Sequence, residues 1–487
     1  MKKKIAVGFL CFLLAGGLGF FGVQFVTKTG IFKVPGVVRF SESFPDSEAE
    51  KIAALFEPEE IELDKDLVFY YTEMLDETLA AENSYLADIF VPTAEFYSTE
   101  TSLTAEEFQS RYEAGDSSVV SIKDLDSGMK LLAVGEHYFL ETFDSGAIFK
   151  YLRIDGETEE DLALARNLIL PTLDEFPTKD TTLSLAQTGV TALSRGINTR
   201  MNAVGTGTYF TENIGEFLSS FDLTHTSNES SFTDYATSAN ICSDWRFVDT
   251  LTAIGLDIVE LTGNHNQDCG DQAALDTLDK YDELGIKTVG GGRTATEAAE
   301  PLRITDKAAG VTMLAYNQST GGATLDDSPG ANQYYPAQAA EDIAAAKARG
   351  DVVIVDMQYY ECNEYASSYE DTTCDYAYSS AGDQVGVFRS LIDNGADVVI
   401  GTAAHQTQTY EKYGNGEIYY GLGNLFFDQS WWPGTTRSLG LVHYIWNGKL
   451  LQTRKFGTVY DNTYQTRLMN AEELARFINR LNEARDI

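Results

Sequence analysis

Histidine is scarce in this chain: five residues, at 137, 225, 265, 405 and 443, among 487. A two-metal phosphoesterase holds its ions about 3.5 to 4 Å apart and needs many imidazole and carboxylate ligands, so this count argues against a full dinuclear site. Basic residues are also few, 35 Lys and Arg against 74 Asp and Glu, for a formal net charge of −39. That balance speaks against nucleic acid as a general partner, because phosphate contacts need clustered Lys and Arg. Proline is limited to 10 residues, whereas apolar residues make up 43% and aromatics 12%, so the chain can bury enough surface to offset its ordering entropy. No CxxC pair is present, which removes support for zinc-knuckle and thioredoxin readings. No Ser/His/Asp triad motif occurs. The glycines at 290 to 292 lack a Walker pattern and read as a strand-end turn.

Present instead is a long apolar start. Lys2, Lys3 and Lys4 precede an uncharged run from Ile5 to Val26, about 33 Å long as a helix and enough to cross a bilayer. Residues 1–28 are therefore expected to be cytoplasmic lysines and a signal-anchor transmembrane helix. The protein would then be single-pass in the cell membrane, with an extracellular bulk. A cleaved signal is the alternative. Cys11 lies in this run, leaving Cys242, Cys269, Cys362 and Cys374, an even number suited to an oxidising compartment. The short loop between Cys362 and Cys374 favours that bridge, and Cys242 would pair with Cys269; free thiols and other connectivities stay open.

Residues 29–60 read as a stalk and 61–174 as an α+β domain of unassigned role. In the latter, Glu73 to Leu86 has helix-like content, and Ser102 to Tyr112 reads as a helix capped by Thr104 with Glu107 three residues on. Strands are expected at Val119 to Ile122, Lys130 to Val134, Tyr138 to Thr142 and Ala147 to Ile154. After a linker at 175–182 the pattern changes. Three times a helix-like segment is followed by Gly, a nearby Asp, a buried β-branched run and a polar cluster. The clusters are Gly263-Asn264-His265, the stretch from Asp356 to Glu361, and Gly401 to His405. Continuous apolar strands alternating with helices imply a sheet covered on both faces, with the polar clusters at strand ends. A hairpin is expected across Asn447-Gly448, and an amphipathic helix within the 461–487 segment.

The motif order resembles a known family. Thr188 to Arg195, Asp222 to Glu229, Leu261 to Gly270, Val352 to Glu361, Ile400 to His405 and Tyr420 to Asp428 together are similar to the poly-γ-glutamate capsule-synthesis proteins of the CapA or PgsA type. The resemblance covers 183–460. It implies a calcineurin-like metallophosphatase-type layered α/β sandwich, preceded here by the transmembrane helix and the smaller α+β domain. It also implies a membrane-anchored protein of capsule or poly-γ-glutamate-type biosynthesis or export. The implied partners are an anionic extracellular polymer, membrane-bound polymer synthase components and, through the N-terminal helix, the membrane itself.

Several positions depart from the family pattern. Where the family has Gly-Asp, Val190 follows Gly189; Gln358-Tyr359-Tyr360 replaces His-Trp-Gly; Thr402 and Ala403 replace two histidines. Glu229, Asn264, His265 and His405 persist. His265, Glu229 and Arg195 are the catalytic candidates: a proton donor or acceptor, its carboxylate partner or base, and a bidentate anion ligand. Asn264, His405, Asn424 and Gln358 are the substrate-binding candidates. One hard divalent cation, Mn, Mg or Ca, would be held by Glu229, Asn264 and His405, with Glu361 or Asp268 and water as further ligands. The alternative function is an active cell-surface hydrolase of phosphoester or γ-glutamyl and related amide bonds, using His265 and Glu229.

Overall fold

The computed structural model describes residues 20–23, 36–57, 63, 65–75, 83–126, 128–318, 327–360 and 382–485. Contacts divide it into two units, Met1–Phe90 with Ala147–Phe176, and Val91–Gly146 with Pro177–Ile487. The expected 61–174 domain is thus cut: its middle packs with the second unit. The expected transmembrane span lies outside the described residues except for Phe20–Val23, a strand paired antiparallel with Val38–Ser41. Among the described residues no helix is long and apolar enough to cross a membrane.

In the first unit, strands Val38–Ser41, Leu67–Leu75, Ile148–Gly156 and the start of Ser84–Glu95 lie side by side in that order. Helices Asp46–Leu55 and Glu159–Ile169 bury Ile52, Leu162 and Ile169 against Phe40, Phe69 and Ile154. The middle of the helix expected from Glu73 to Leu86 lies outside the described residues, and its described ends are not helical. Its ends belong to Leu67–Leu75 and Ser84–Glu95, which pair with the two edges of Ile148–Gly156. Ladder partners outweigh the intrinsic helical preference of Glu, Met, Leu and Ala.

The second unit is built on two facing sheets. The first, eight-stranded among the described residues, holds β1 (Leu183–Thr191), β2 (Leu223–Asn228), β3 (Leu256–Glu260) and β4 (Lys287–Val289), all parallel. The second, six-stranded, holds β5 (Leu302–Ile304), β6 (Val311–Asn317), β7 (Val352–Gln358), β8 (Val398–Gly401), β9 (Gln408–Tyr413) and β10 (Gly416–Gly421). The chain then returns to the first sheet through β11 (Asn424–Phe426), β12 (Arg437–Trp446), β13 (Lys449–Tyr460) and β14 (Thr466–Leu468). The β12–β13 hairpin turns at Asn447 and Gly448, whose φ of 47° and 70° are what a tight two-residue turn requires.

Alternation along each strand sends one set of side chains between the sheets. Leu183, Leu185, Leu223, Ile258, Ile354, Ile400 and Leu441 form that inter-sheet core. On the outer face of the second sheet, Ile343 and Ala346 of α3 (Pro336–Ala348) and Phe388 and Leu391 of α4 (Gln384–Asp393) meet Val353, Val355 and Val399. Beside the first sheet lie α1 (Arg195–Val204) and α2 (Asp271–Leu284). The helix expected at the C-terminus is α5 (Ala471–Ala484), started by an Asn470/Glu473 capping box. It joins the second unit through Leu481 O, which accepts from Thr409 Oγ1 at 2.6 Å.

Within 91–146 the helix Ala105–Glu113 carries the Thr104/Glu107 capping box read from sequence. Tyr138 to Thr142, expected as a strand, instead contains the one-turn helix Phe139–Thr142, because Phe139 and Leu140 are both buried and successive residues of a strand would face opposite ways.

Candidate active site

Loops leave the carboxyl ends of the parallel strands, and the candidate residues stand on them. Glu229 follows β2, and its N–H donates to Thr191 O at 2.8 Å. Gly263 lies against it: a Cβ there would meet Glu229 Cα at 2.8 Å, so only glycine lets the two loops touch. His405 follows β8, and its Nε2 faces Glu229 Oε2 at 3.8 Å, with both side chains buried. Asn424 fixes the imidazole. Its Nδ2 donates to Thr435 O (3.2 Å), so its Oδ1 accepts from His405 Nδ1 at 2.8 Å, leaving Nε2 as the nitrogen toward the carboxylate.

A second group adjoins through Asn264. Gln358 Nε2 donates to Asn264 Oδ1 at 3.1 Å, and Thr402 Oγ1 donates to Gln358 Oε1 at 3.3 Å. His265 faces a different way from the reading that gave it Glu229 as partner: its Nδ1 lies 2.8 Å from Asp268 Oδ2, with the ring 28% exposed. Arg195 is engaged too. Its Nη2 reaches Asp428 Oδ1 at 2.5 Å, and Gly196 N–H donates to Asp428 Oδ2 at 3.0 Å. Its guanidinium lies 5.2 Å from the Phe427 ring centroid, and the same ring packs 4.3 Å from that of His405. Arg195 has a φ of 47°, unusual for a residue with a Cβ, and this turn brings Gly196 N–H onto Asp428.

Val190 explains itself in packing terms. It is buried with Ala192 and Phe427 and accepts β11 as a parallel neighbour, its N–H donating to Gly423 O at 2.8 Å. A Cβ on the preceding Gly189 would lie 1.9 Å from that same carbonyl, so the approach requires glycine. An apolar side chain, which cannot bind a metal, thus occupies this strand end.

Among the described residues the donor set does not fit a metallophosphatase centre. Glu229 and His405 are the charged or lone-pair donors brought together, while Asn264 and Asn424 use their carbonyls on Gln358 and His405, and Asp268 is paired with His265. Among the described residues no group of three or more His, Cys, Asp or Glu side chains is arranged to hold an ion. Glu361, Cys362 and Cys374 lie outside the described residues. Cys242 and Cys269 form a disulfide with Cα atoms 6.1 Å apart. It ties the loop after β3 to the segment at 230–244, as do Ser231 Oγ donating to Asn266 O (2.5 Å) and Tyr235 OH donating to Cys269 O (2.8 Å).

Sequence reasoning missed a polar layer one step deeper. Gln187, His225, Glu260, Asp356 and His443 project between the sheets and are almost fully buried. Gln187 Nε2 donates to Asp356 Oδ1 (3.1 Å), Gln187 Oε1 accepts from His443 Nε2 (2.9 Å), and Thr453 Oγ1 donates to His443 Nδ1 (3.0 Å). His225 Nε2 lies 3.4 Å from Asp356 Oδ2. Burial, with the His225 charge adding, pushes the His443 imidazole down to about 3. Burial and the Asp356 charge push the Glu260 carboxyl up, against the Thr262 N–H and hydroxyl that its Oε1 accepts. The available signal was a polar residue at an inward position of an otherwise apolar strand, such as Asp356 after Val352 to Val355.

Residues 184–429 match the sequence profile of the bacterial capsule synthesis protein PGA_cap family. The chain belongs to this family. Every strand-end residue described above falls inside the match. Similar PGA_cap-type relatives include the capsule biosynthesis protein CapA of Bacillus anthracis, 25% identical over 196 residues, which cover 39% of this chain and 44% of the relative. The PGA biosynthesis protein CapA of Bacillus subtilis (strain 168) is 28% identical over 201 residues, 40% of this chain and 49% of that one. A probable polyglutamine synthesis accessory protein of Mycobacterium tuberculosis is 29% identical over 194 residues, 37% and 48%. The chain spans a little under half the length of these relatives. Among solved structures, a novel phosphatase from Mycoplasma pneumoniae is 11% identical, with a TM-score of 0.34 over 58% of this chain and 96% of that one. The TT1561 protein of Thermus thermophilus is 9% identical, with a TM-score of 0.30 over 60% and 100%.

Proposed function

We propose that this PGA_cap protein is an exported, membrane-anchored component in the production or export of an anionic polymer of the poly-γ-glutamate type, and that its strand-end site binds the polymer. The observation that carries the reading is the family match over 184–429, which spans the whole strand-end cluster, from relatives named for capsule and PGA biosynthesis. The geometry supports binding over metal-assisted hydrolysis. Among the described residues the site offers an imidazole, amides and one carboxylate, fewer ligands than a two-metal clamp uses. Asn264, Gln358 and Asn424 set the hydrogen-bonding character of the crevice, and His405 supplies a group able to carry positive charge toward a carboxylate. Arg195 acts here by holding the 426–429 loop through Asp428.

One contact favours a second reading, hydrolysis at the same place. Glu229 and His405, 3.8 Å apart with the tautomer fixed by Asn424, form a carboxylate–imidazole pair of the kind general acid–base chemistry uses. His265, more exposed and paired with Asp268, stands on the adjoining loop as a further proton donor.

The test combines cells and purified protein. A strain lacking the gene is complemented with wild type, His405→Ala or Glu229→Gln and its polymer measured, while purified full chain is assayed for metal content and for turnover of p-nitrophenyl phosphate and polyglutamate. Loss of polymer in the deletion and both variants, with no turnover in vitro, is the expected result. Turnover abolished by Glu229→Gln would establish the hydrolase instead, and undiminished polymer in the deletion strain would overturn both.

A further inference from the structure

Away from the strand ends, the second unit encloses a cavity of about 280 Å³ between β13, α5 and the 91–146 segment. That is near the lower end of small-molecule pockets, about 300 to 1,000 Å³. One wall is apolar, made by Leu131, Phe217, Phe456, Met469, Leu474 and Ile478. The lining also includes Lys130, Arg454 and Lys455, and among the described residues no acidic side chain lines the cavity, in a chain where Asp and Glu outnumber Lys and Arg by 74 to 35.

The two lysines differ from the arginine. Arg454 is paired with Glu141 and lies over the Tyr138 ring. Lys130 Nζ donates to Ser98 O at 2.8 Å, and Lys455 Nζ stands 4.1 Å from the Phe96 ring centroid and 4.7 Å from that of Tyr410. Among the described residues neither ammonium has a carboxylate at ion-pair distance; Glu100 acts on Lys130 and Glu417 on Lys455 from farther away, and the Lys130 charge is felt at Lys455. Burial holds both ammonium groups down at about 8. Two partly buried ammonium groups countered only from a distance gain from an anion placed beside them, and aromatic faces hold Lys455 until it arrives.

We propose that this cavity is a binding site for a small amphipathic carboxylate, with the carboxylate between Lys130 and Lys455 and the apolar body against Leu474 and Ile478. The site is separate from the strand-end cluster and does not rest on the function proposed for it. An acyl or aromatic monoacid of modest length matches both the volume and the mixed cationic and apolar lining.

The experiment titrates the full chain with octanoate, 1-octanol and inorganic phosphate by calorimetry, using wild type, Lys130→Met, Lys455→Met, Lys455→Arg and Leu474→Trp, each checked for a native circular dichroism spectrum. Expected is saturable octanoate binding at one per chain, at least about tenfold tighter than octanol or phosphate. Each methionine variant should weaken it by at least about tenfold, and Lys455→Arg should recover most of the affinity. Leu474→Trp, which fills the apolar end and leaves both charges, should abolish it, and serves where a methionine variant does not fold. Absence of saturable octanoate binding to wild type, equal binding of octanol, phosphate binding as tight as octanoate, or undiminished binding to Leu474→Trp would each overturn the proposal.

Discussion

His443 offers the sharpest quantitative test of the buried polar layer. Its ring is enclosed between the sheets, Nε2 donating to Gln187 and Nδ1 accepting from Thr453, so protonation would put a charge where no solvent reaches and a second N–H against the Thr453 hydroxyl. Burial takes its value from 6.5 to about 3. The folded value lies below the unfolded one, so the unfolded chain gains a proton first as pH falls, and stability is lost from about pH 7 downward. Between pH 7 and pH 5 the unfolded imidazole goes from mostly neutral to almost fully charged while the folded one stays neutral. The difference is about 2 kcal/mol, and it hardly depends on how far below 5 the folded value lies. His443→Gln keeps a donor and an acceptor but does not titrate. Unfolding by urea at pH 7 and pH 5, followed by tryptophan fluorescence, reads the correct unit, since Trp245, Trp431, Trp432 and Trp446 all lie in the second. Wild type should lose about 2 kcal/mol more than the variant over that interval. Equal losses in the two proteins would refute the reasoning, whatever the variant's stability at pH 7.

Two further outcomes follow from the same physics. Glu260→Gln should stabilise the protein by about 1 to 3 kcal/mol near neutral pH, because a fully buried carboxyl raised by burial and by Asp356 resists ionising; the sign is opposite to that of His443, the wild-type advantage being complete below the unfolded value and lost as pH rises through the folded one, so the gain should vanish toward pH 4 in the same urea assay. Replacing Cys242 and Cys269 together by serine releases a loop of 27 residues, which chain entropy values at about 3.5 kcal/mol; an unchanged melting temperature in non-reducing buffer would contradict it.

The strand ends were legible because the sequence marks them twice, by β-branched runs and by the polar clusters that follow, and the helices α3, α4 and α5 fall where helix-like segments are expected. The partnering of the candidates was not. Nothing in the residues around Glu229 points to its partners: the pairing of β2 and β11 with β1 brings Asn424 near, and the facing second sheet, through the loop after β8, brings His405. The end of Leu67–Leu75 and the start of Ser84–Glu95 read as helix in sequence, since a strand whose neighbours are distant in sequence leaves no local signature stronger than composition. Likewise the split of 61–174 rests on contacts such as Gln452 Nε2 to Met129 O at 3.0 Å, between residues far apart in sequence.

The bridge between Cys242 and Cys269 has a consequence in time. His265 and Asn264 sit on the loop that this bridge fastens, so the mouth of the crevice acquires its final form only where thiols are oxidised. A reduced copy carries the same residues on a slack rim. The rim is therefore fastened only once the bridge has formed, and the placement of Asn264 and His265 depends on thiol oxidation as well as on folding.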